Sequence, residues 1–253
     1  MSVSKTWTAA LLVIGDEILS GRTQERNVAQ VAAWLNDQGI RLAEVRIVPD
    51  VEERIAESLN ALRAAHDYCF TTGGIGPTHD DITVDAVARA FDVPVTVHPA
   101  ARAILEDYYR DRPGGLSDAR LRMARIPAGA ELIFNAATRA PGIRLGNVYI
   151  LAGVPHIAAS MLEALSGTLE GGRPMLSLTI GARAPESDVA DLLRETEAEH
   201  PGCAIGSYPF FRDGGYGSNF VIRSEDGGLA RQCCDTLARR LRAEGFEPIE
   251  GGI

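Results

Sequence analysis

Acidic side chains and glycines follow three strand-like segments of this sequence, in a pattern that suits a phosphorylated ligand and a divalent cation. After residues 8–14, 45–48 and 68–72 come Gly15-Asp16-Glu17, Asp50 and Gly73-Gly74-Ile75-Gly76. Carboxylate oxygens are suitable ligands for Mg²⁺, and glycines let backbone N–H groups approach a phosphate closely. We therefore predict that these strand ends form one ligand site.

We expect the ligand contacts to come from the ends of five strands. The predicted site residues are Gly15, Asp16, Glu17, Ser20, Asp50, Thr72, Gly73, Gly74, Gly76, Pro77, Thr78, Asp80, Asp81, Thr83, Asn135, Gly153 and Pro155. His79 lies in the same loop, where it either contacts the ligand or is exposed. Arg139 and Arg144 follow Asn135 and either meet phosphate or, more commonly for such residues, solubilise the surface.

Two of these features also have purely structural interpretations. The glycines of the third loop suit a tight turn, since glycine tolerates positive φ. Asp81 suits the N-cap of a helix that begins near Thr83. Packing does not explain Asp16, Glu17 and Asp50 at two separate strand ends, and this favours a ligand site.

The elements that position these loops alternate between strand and helix. Strands are predicted at 8–14, 45–48, 68–72, 131–134 and 148–151, with a short apolar segment at 93–97. Helices are predicted at 27–37, 52–65, 83–91, 101–109, 117–125 and 156–165. This order predicts an α/β domain with a mostly parallel sheet covered by helices on both faces. Ligands of such sheets bind outside the carboxyl ends of the strands.

A segment of small residues and helix breakers, 166–174, predicts a linker between two domains, residues 1–170 and 171–253. The second domain reads as a small α+β unit of βαββαβ order. Its strands are expected at 175–180, 203–211, 219–223 and 247–249, and its helices at 187–199 and 229–244.

Composition and motifs exclude several kinds of protein. The net charge of −9 argues against a nucleic-acid partner, and no apolar run reaches the ~20 residues of a membrane span. Residues 1–8 show no secretory signal, so we expect a cytoplasmic protein with reduced cysteines. Lys5 is the only lysine, which excludes a Walker-type loop. The Gly73 loop lacks dinucleotide-fold spacing, the histidines lack zinc spacing, and no serine lies in a nucleophile elbow.

Three motifs together resemble a known family. Thr71–Thr83 (TTGGIGPTHDDIT), Gly15–Gly21 (GDEILSG) and Gly153–Pro155 resemble the molybdopterin-binding domain of molybdenum-cofactor biosynthesis proteins. The similarity is strongest to the competence/damage-inducible protein A (CinA-like) branch and to the N-terminal domain of eukaryotic FAD synthases. It covers about residues 8–170, and residues 205–209 (IGSYP) are similar to the small domain that follows.

The resemblance implies a three-layer α/β/α sandwich that binds molybdopterin or ADP-containing compounds. It also implies Mg²⁺-dependent adenylyl transfer or pyrophosphate hydrolysis in some members. The family's acidic residues correspond to Asp16, Asp50 and Asp81, which we expect to hold the cation, with Asp50 and Asp81 catalytic. Mg²⁺ is the expected ion, with Mn²⁺ and Co²⁺ as alternatives. Full-length CinA proteins continue into an amide-hydrolysing domain, an activity that we do not expect from residues 1–253.

Three functions remain open at this point. The first is metal-dependent hydrolysis of a nucleotide pyrophosphate such as ADP-ribose or FAD. The second is non-catalytic molybdopterin binding in cofactor biosynthesis, and the third is a regulatory module without turnover. The three motif carboxylates favour the first. The expected partner is a phosphorylated small molecule, with neither nucleic acid nor membrane, and family members commonly self-associate, so a homo-oligomer is expected.

Overall fold

The computed structural model describes residues 5–212 and 214–253. The chain divides into two compact units after Gly172, within the segment rich in helix breakers. Residues 1–4 belong to the first predicted domain and to the segment 1–8 for which no secretory signal is predicted, and they lie outside the described residues.

A six-stranded sheet forms the centre of the first unit. Its strands are β1 (Trp7–Ile14), β2 (Ile40–Val48), β3 (Tyr68–Thr72), β6 (Glu131–Ile133), β7 (Gly142–Leu145) and β8 (Val148–Leu151), in the order β2-β1-β3-β8-β7-β6. The first four strands of that order are mutually parallel, and β7 runs antiparallel to both of its neighbours. Since two reversals restore the direction, β6 ends at the same edge as the parallel strands. The predicted common edge for all five strand ends is therefore observed.

Helices cover both faces of this sheet. They are α1 (Asp16–Leu19), α2 (Asn27–Asp37), α3 (Glu52–Ala65), α4 (Thr83–Phe91), α5 (Pro99–Tyr109), α6 (Asp118–Leu121) and α7 (Pro155–Ala164). Side chains of β1 alternate between the faces: Leu12 packs with α3, α4 and α5, whereas Leu11 packs with α2 and α7. The three-layer α/β/α arrangement is thereby formed. Among the described residues, no helix has the length and apolar character to cross a membrane.

The segment 117–125 differs from its predicted single helix. Only Asp118–Leu121 is α-helical, a 3-10 turn follows at Arg122–Ala124, and the chain then extends into β5 (Arg125–Pro127). This strand pairs with β4 (Val95–Val97) in a separate two-stranded sheet. Ile126 is buried in the core there, and Pro127 cannot continue a helix.

The second unit has the predicted βαββαβ order. Its elements are β9 (Leu176–Ala182), α8 (Glu186–Glu199), β10 (Ala204–Arg212), β11 (Gly215–Ser224), α9 (Gly227–Ala243) and β12 (Ile249–Glu250). The strand order β10-β11-β9-β12, antiparallel throughout, is that of a ferredoxin-like split βαβ sheet. Its own core combines the apolar faces of α8 and α9 with one face of the sheet.

Candidate functional site

The loops after β2, β1, β3 and β8 are joined to one another at the carboxyl edge of the sheet. The N–H of Gly15 donates to the Val48 carbonyl across 3.2 Å, and the N–H of Gly73 donates to the Leu151 carbonyl across 3.3 Å. A Cβ added to Gly153 would lie 3.1 Å from the Cα of Gly73. These contacts join the loops in two pairs, and the close approach of Gly73 to the Ile14 carbonyl oxygen joins the pairs into one continuous rim.

The glycine loop after β3 is fixed by close approaches that exclude a side chain. Gly73 has φ +104°, and a Cβ there would lie 2.1 Å from the Ile14 carbonyl oxygen. Gly74 has φ +66°, and its Cβ would lie 2.2 Å from Oγ1 of Thr83. The buried Thr83 hydroxyl donates to the Gly73 carbonyl across 2.9 Å, and the Thr83 N–H donates to the Gly74 carbonyl across 3.0 Å. The tight-turn interpretation of these two glycines is therefore correct, and the turn holds the loop at the rim.

Carboxylates from two loops meet beside this turn. Oδ2 of Asp50 accepts the backbone N–H of Asp16 across 2.8 Å. Partial burial raises the pKa of Asp50, this hydrogen bond opposes the rise, and the negative charges of Glu17, Asp16 and Asp80 add to it. The loops after β1, β2 and β3 thus bring four acidic side chains into electrostatic reach of one another.

Asp81 braces its own loop and does not cap the following helix. Its Oδ2 accepts the Thr78 N–H across 2.7 Å and also contacts the Thr78 hydroxyl. The N-cap of α4 is Ile82, without a side-chain hydrogen bond, so the cap interpretation of Asp81 is wrong. The Asp81 carboxylate lies directly over Gly76, where a Cβ would come within 2.6 Å of Oδ2.

The exposed tip of the same loop carries Asp80 and His79. The nearby Thr78 side chain, whose hydroxyl donates to Asp81, is the main cause that lowers the pKa of Asp80. His79 is 99% exposed and lies 4.0 Å from an Asp80 oxygen, so its side chain faces solvent.

The three aspartates predicted to hold a cation do not form a ready-made metal cluster. Among residues 5–212 and 214–253, no three or more His, Cys, Asp or Glu side chains are placed to hold an ion together. Mg²⁺ is commonly bound by one or two carboxylates, water and substrate phosphates, without a complete protein cage. The adjacent Asp16 and Asp50 fit that arrangement.

Several predicted residues shape the rim around these carboxylates. Thr72 is buried at the end of β3, and its hydroxyl has no hydrogen-bond partner in the described residues. Ser20 ends α1 and donates to the Glu17 carbonyl, and Pro155 begins α7. Pro77 lies exposed beside Thr78.

Asn135 reaches the correct edge of the sheet but uses its side chain within its own loop. Its Nδ2 donates to Thr138 Oγ1 and to the Ala140 carbonyl, and its Oδ1 accepts the Ala137 N–H. Three strand spacings, about 14 Å, separate β6 from β3. Arg144 pairs with Glu131 across 3.4 Å, so this arginine is engaged on β7.

A polar connection between α2 and the rim was absent from the sequence-based prediction. Nδ2 of the buried Asn27 donates to the Gly153 carbonyl across 2.8 Å, and Gln30 donates to the Pro155 carbonyl across 3.0 Å. The Glu25 carboxylate accepts the N–H groups of Asn27 and Val28 across 2.7 and 3.0 Å. An Asn at a helix start is a recognisable capping signal, but its partner 126 residues away is not readable from the sequence.

Exposed apolar side chains also surround the rim. Leu19, Val51, Phe134 and Val154 each stand at or just after a strand end and are between 43% and 58% exposed. Single exposed apolar residues are ordinary, but four at one sheet edge give the rim apolar surface beside its charged centre.

Two family models together match most of the chain. Residues 10–171 match the family described as "Probable molybdopterin binding domain". Residues 174–250 match the family described as "FAD synthase, middle domain". The boundary between the two matches falls at the division between the two structural units.

Relatives and a solved structure agree with these matches. A CinA-like protein of Citrifermentans bemidjiense is 36% identical over 245 residues, which cover 92% of this chain and 58% of that protein. A protein of Aeropyrum pernix is 34% identical over 79% of this chain and 78% of its own length. The crystal structure of a protein CinA of unknown function from Thermoplasma acidophilum is 30% identical, with a TM-score of 0.60 over 64% of this chain and 98% of that one. The chain belongs to the CinA-like molybdopterin-binding family.

Proposed function

We propose that this chain binds a phosphorylated pterin or adenine nucleotide at the carboxyl edge of β1, β2, β3 and β8. With a divalent cation it hydrolyses a nucleotide pyrophosphate of the ADP-ribose or FAD type. The observation that carries this proposal is the convergence of Asp16, Glu17, Asp50 and Asp80 beside the Gly73 turn. Partial burial, and to a smaller extent the negative charges of Glu17, Asp16 and Asp80, raise the pKa of Asp50, and a bound cation would relieve the repulsion among these charges.

Each part of the rim has a separate task in this proposal. Asp16 and Asp50 hold the cation, which supplies charge neutralisation between the two phosphates. The start of α4, which has no side-chain cap, offers phosphate the N–H groups that follow Thr83, whose own N–H donates to the Gly74 carbonyl. The Asp81 carboxylate, fixed by Thr78 over Gly76, is the third acidic group that attracts the cation. The match of residues 174–250 to a domain of FAD synthase supports an adenine nucleotide as the ligand.

The alternative is molybdopterin binding without turnover. The family description of residues 10–171 supports it. The same rim would hold the terminal phosphate of the pterin. A cytoplasmic location and self-association belong to both proposals, and light scattering on the purified chain measures the second.

One set of assays separates the two functions. The full chain is incubated with ADP-ribose or FAD and Mg²⁺, Mn²⁺ or Co²⁺, and release of AMP is measured with and without EDTA. In parallel, molybdopterin binding is measured by fluorescence. Metal-dependent AMP release supports the hydrolase. Molybdopterin binding without AMP release supports the carrier. If the chain neither releases AMP nor binds molybdopterin, both proposed functions are overturned.

A further inference from the structure

A narrow cleft beside the Gly73 turn contains an arginine that the sequence analysis did not single out. The cleft is lined by Ile75, Gly76, Asp81, Val84, Arg122, Met123, Arg125, Pro141 and Ile143. The interior of the cleft has about 10 Å³ of space, close to what one water molecule needs. A larger group would therefore occupy the mouth of the cleft, next to Gly76 and Asp81.

Arg122 has an unmet requirement for a hydrogen-bond acceptor. It lies in the 3-10 turn after α6, and its Nε is buried without a hydrogen-bond partner. Within residues 5–212 and 214–253 its guanidinium makes no ion pair with a carboxylate. A buried N–H of a charged group without an acceptor destabilises the protein, because it has lost its hydrogen bonds to water without replacement. An acceptor that arrives with a ligand removes this cost.

The second arginine of the cleft, Arg125, differs from Arg122 because it is paired with a carboxylate. Arg125 donates to both oxygens of Asp85, with Nη1 at 3.1 Å and Nη2 at 2.5 Å. Its guanidinium is therefore neutralised within the protein. The cleft thus has one engaged arginine and one, Arg122, whose charge and Nε–H remain unmatched.

A purely structural role as a helix C-terminal cap does not explain the position of Arg122. Basic residues at the last turn of a helix often donate to its free carbonyls. Here Nε makes no such bond, and α6 has only four residues, so its dipole is small. The position of Arg122 beside Asp81 and Gly76 has no explanation on this reading.

We propose that Arg122 binds a phosphate of the phosphorylated ligand at the mouth of this cleft, an inference that rests on the proposed function. The planar guanidinium matches two phosphate oxygens, which is the pairing Arg makes best. The Asp81 carboxylate lies against Gly76 in the same cleft. Arg122 would then supply the positive charge that a phosphate requires beside this carboxylate.

The test compares Arg122→Gln with Arg110→Gln in the full chain. Arg110 is exposed, pairs only with Asp107 on the surface, and its loss changes the net charge by the same amount. Calorimetry with inorganic pyrophosphate and with ADP-ribose should show affinity lowered about ten- to a hundredfold in Arg122→Gln and unchanged in Arg110→Gln. Arg122→Lys should recover part of the loss, because it restores charge without the fork.

The controls separate failure of this inference from failure of the proposed function. Adenosine, which lacks phosphate, should bind Arg122→Gln as it binds the unmodified chain. Equal affinities of Arg122→Gln and Arg110→Gln for pyrophosphate and ADP-ribose, in a chain that binds them, would overturn the role of Arg122 alone. No binding of any phosphorylated probe by the unmodified chain would overturn both. A melting temperature of Arg122→Gln within a few degrees of Arg110→Gln shows that the loss is not unfolding.

Discussion

Oδ2 of Asp50 accepts the backbone N–H of Asp16 across 2.8 Å, and this hydrogen bond joins the ends of two neighbouring parallel strands. It also brings the negative charges of Asp16 and Asp50 close enough for that of Asp16 to raise the pKa of Asp50. The two carboxylates repel each other, and the same arrangement attracts a cation.

Asp50→Asn should therefore maintain or raise the melting temperature while it lowers the activity. The raised pKa means that folding favours neutral Asp50, so its charge opposes folding once the pH rises above the ordinary Asp range near 4. Asn keeps an oxygen acceptor for the Asp16 N–H but carries no charge. We expect a melting temperature equal to or above that of the unmodified chain at pH 7, with the difference disappearing near pH 4 and below.

Metal-dependent AMP release by Asp50→Asn should fall by roughly 10²-fold, because one electrostatic contact in the transition state is lost. Calorimetric melting from pH 3 to 8 and the AMP assay measure both effects. Asp111→Asn, on the exposed turn after α5, is the control for net charge. A clear drop in melting temperature at pH 7 would show that the hydrogen bond outweighs the repulsion.

Asp81→Asn should preserve the loop and remove turnover. The amide oxygen of Asn can still accept the Thr78 N–H that now lies 2.7 Å from the carboxylate. The melting temperature should stay within a few degrees, whereas AMP release should fall by about 10²-fold or more. Asp111→Asn again controls for charge. Full turnover in Asp81→Asn would leave its carboxylate with only the role of bracing the loop.

Thr83→Val and Thr71→Val form a matched pair. Both threonines are fully buried, but Thr83 donates to the Gly73 carbonyl, whereas the Thr71 hydroxyl has no partner in the described residues. Thr83→Val should lower the free energy of unfolding by about 1–3 kcal/mol, because a buried carbonyl loses its donor. Thr71→Val, with the same shape, should be neutral or stabilising. Urea denaturation checks both, and equal effects would contradict the bracing role of Thr83.

Residues 1–172 should fold when expressed alone. The two core clusters of the first sheet contain only residues of the first unit, and the third cluster contains only residues of the second. A cooperative unfolding transition by circular dichroism and retained pyrophosphate binding are the expected results. An insoluble fragment 1–172 would show that the second unit is needed to complete the first.

The sequence predicts the long amphipathic elements well. The observed bounds of α2, α3 and α4 coincide with those predicted, because each has a clear apolar face and a polar start. The short strand β7 (Gly142–Leu145) was missed, since four residues carry too little pattern and follow Pro141. The helical spacing of 117–125 was misleading because pairing with β4 outweighs local preference there.

The candidate site was predictable as a set of loops but not as a set of contacts. Strand ends of a parallel sheet must meet, which places Asp16, Asp50 and the Gly73 loop together. Which polar groups form hydrogen bonds with one another depends on contacts between residues that are distant in sequence, and the sequence pattern does not show those contacts. The hydrogen bond between Asp81 and Thr78 is local, but the same aspartate could also cap the helix, and the sequence pattern fits both uses.

The carboxylate of Glu25 accepts hydrogen bonds from the first N–H groups of α2, where it places a negative charge of the chain itself. A helix start already occupied by the chain's own negative charge repels a second one and has fewer donors left to offer it. The start of α4, on the opposite face of the sheet, has no side-chain cap, and the acidic residue of its first turn, Asp85, is paired with Arg125. A phosphate is consequently disfavoured at the start of α2, because the chain's own carboxylate already occupies that place. An anion that binds at this edge of the sheet must therefore find its hydrogen-bond donors elsewhere.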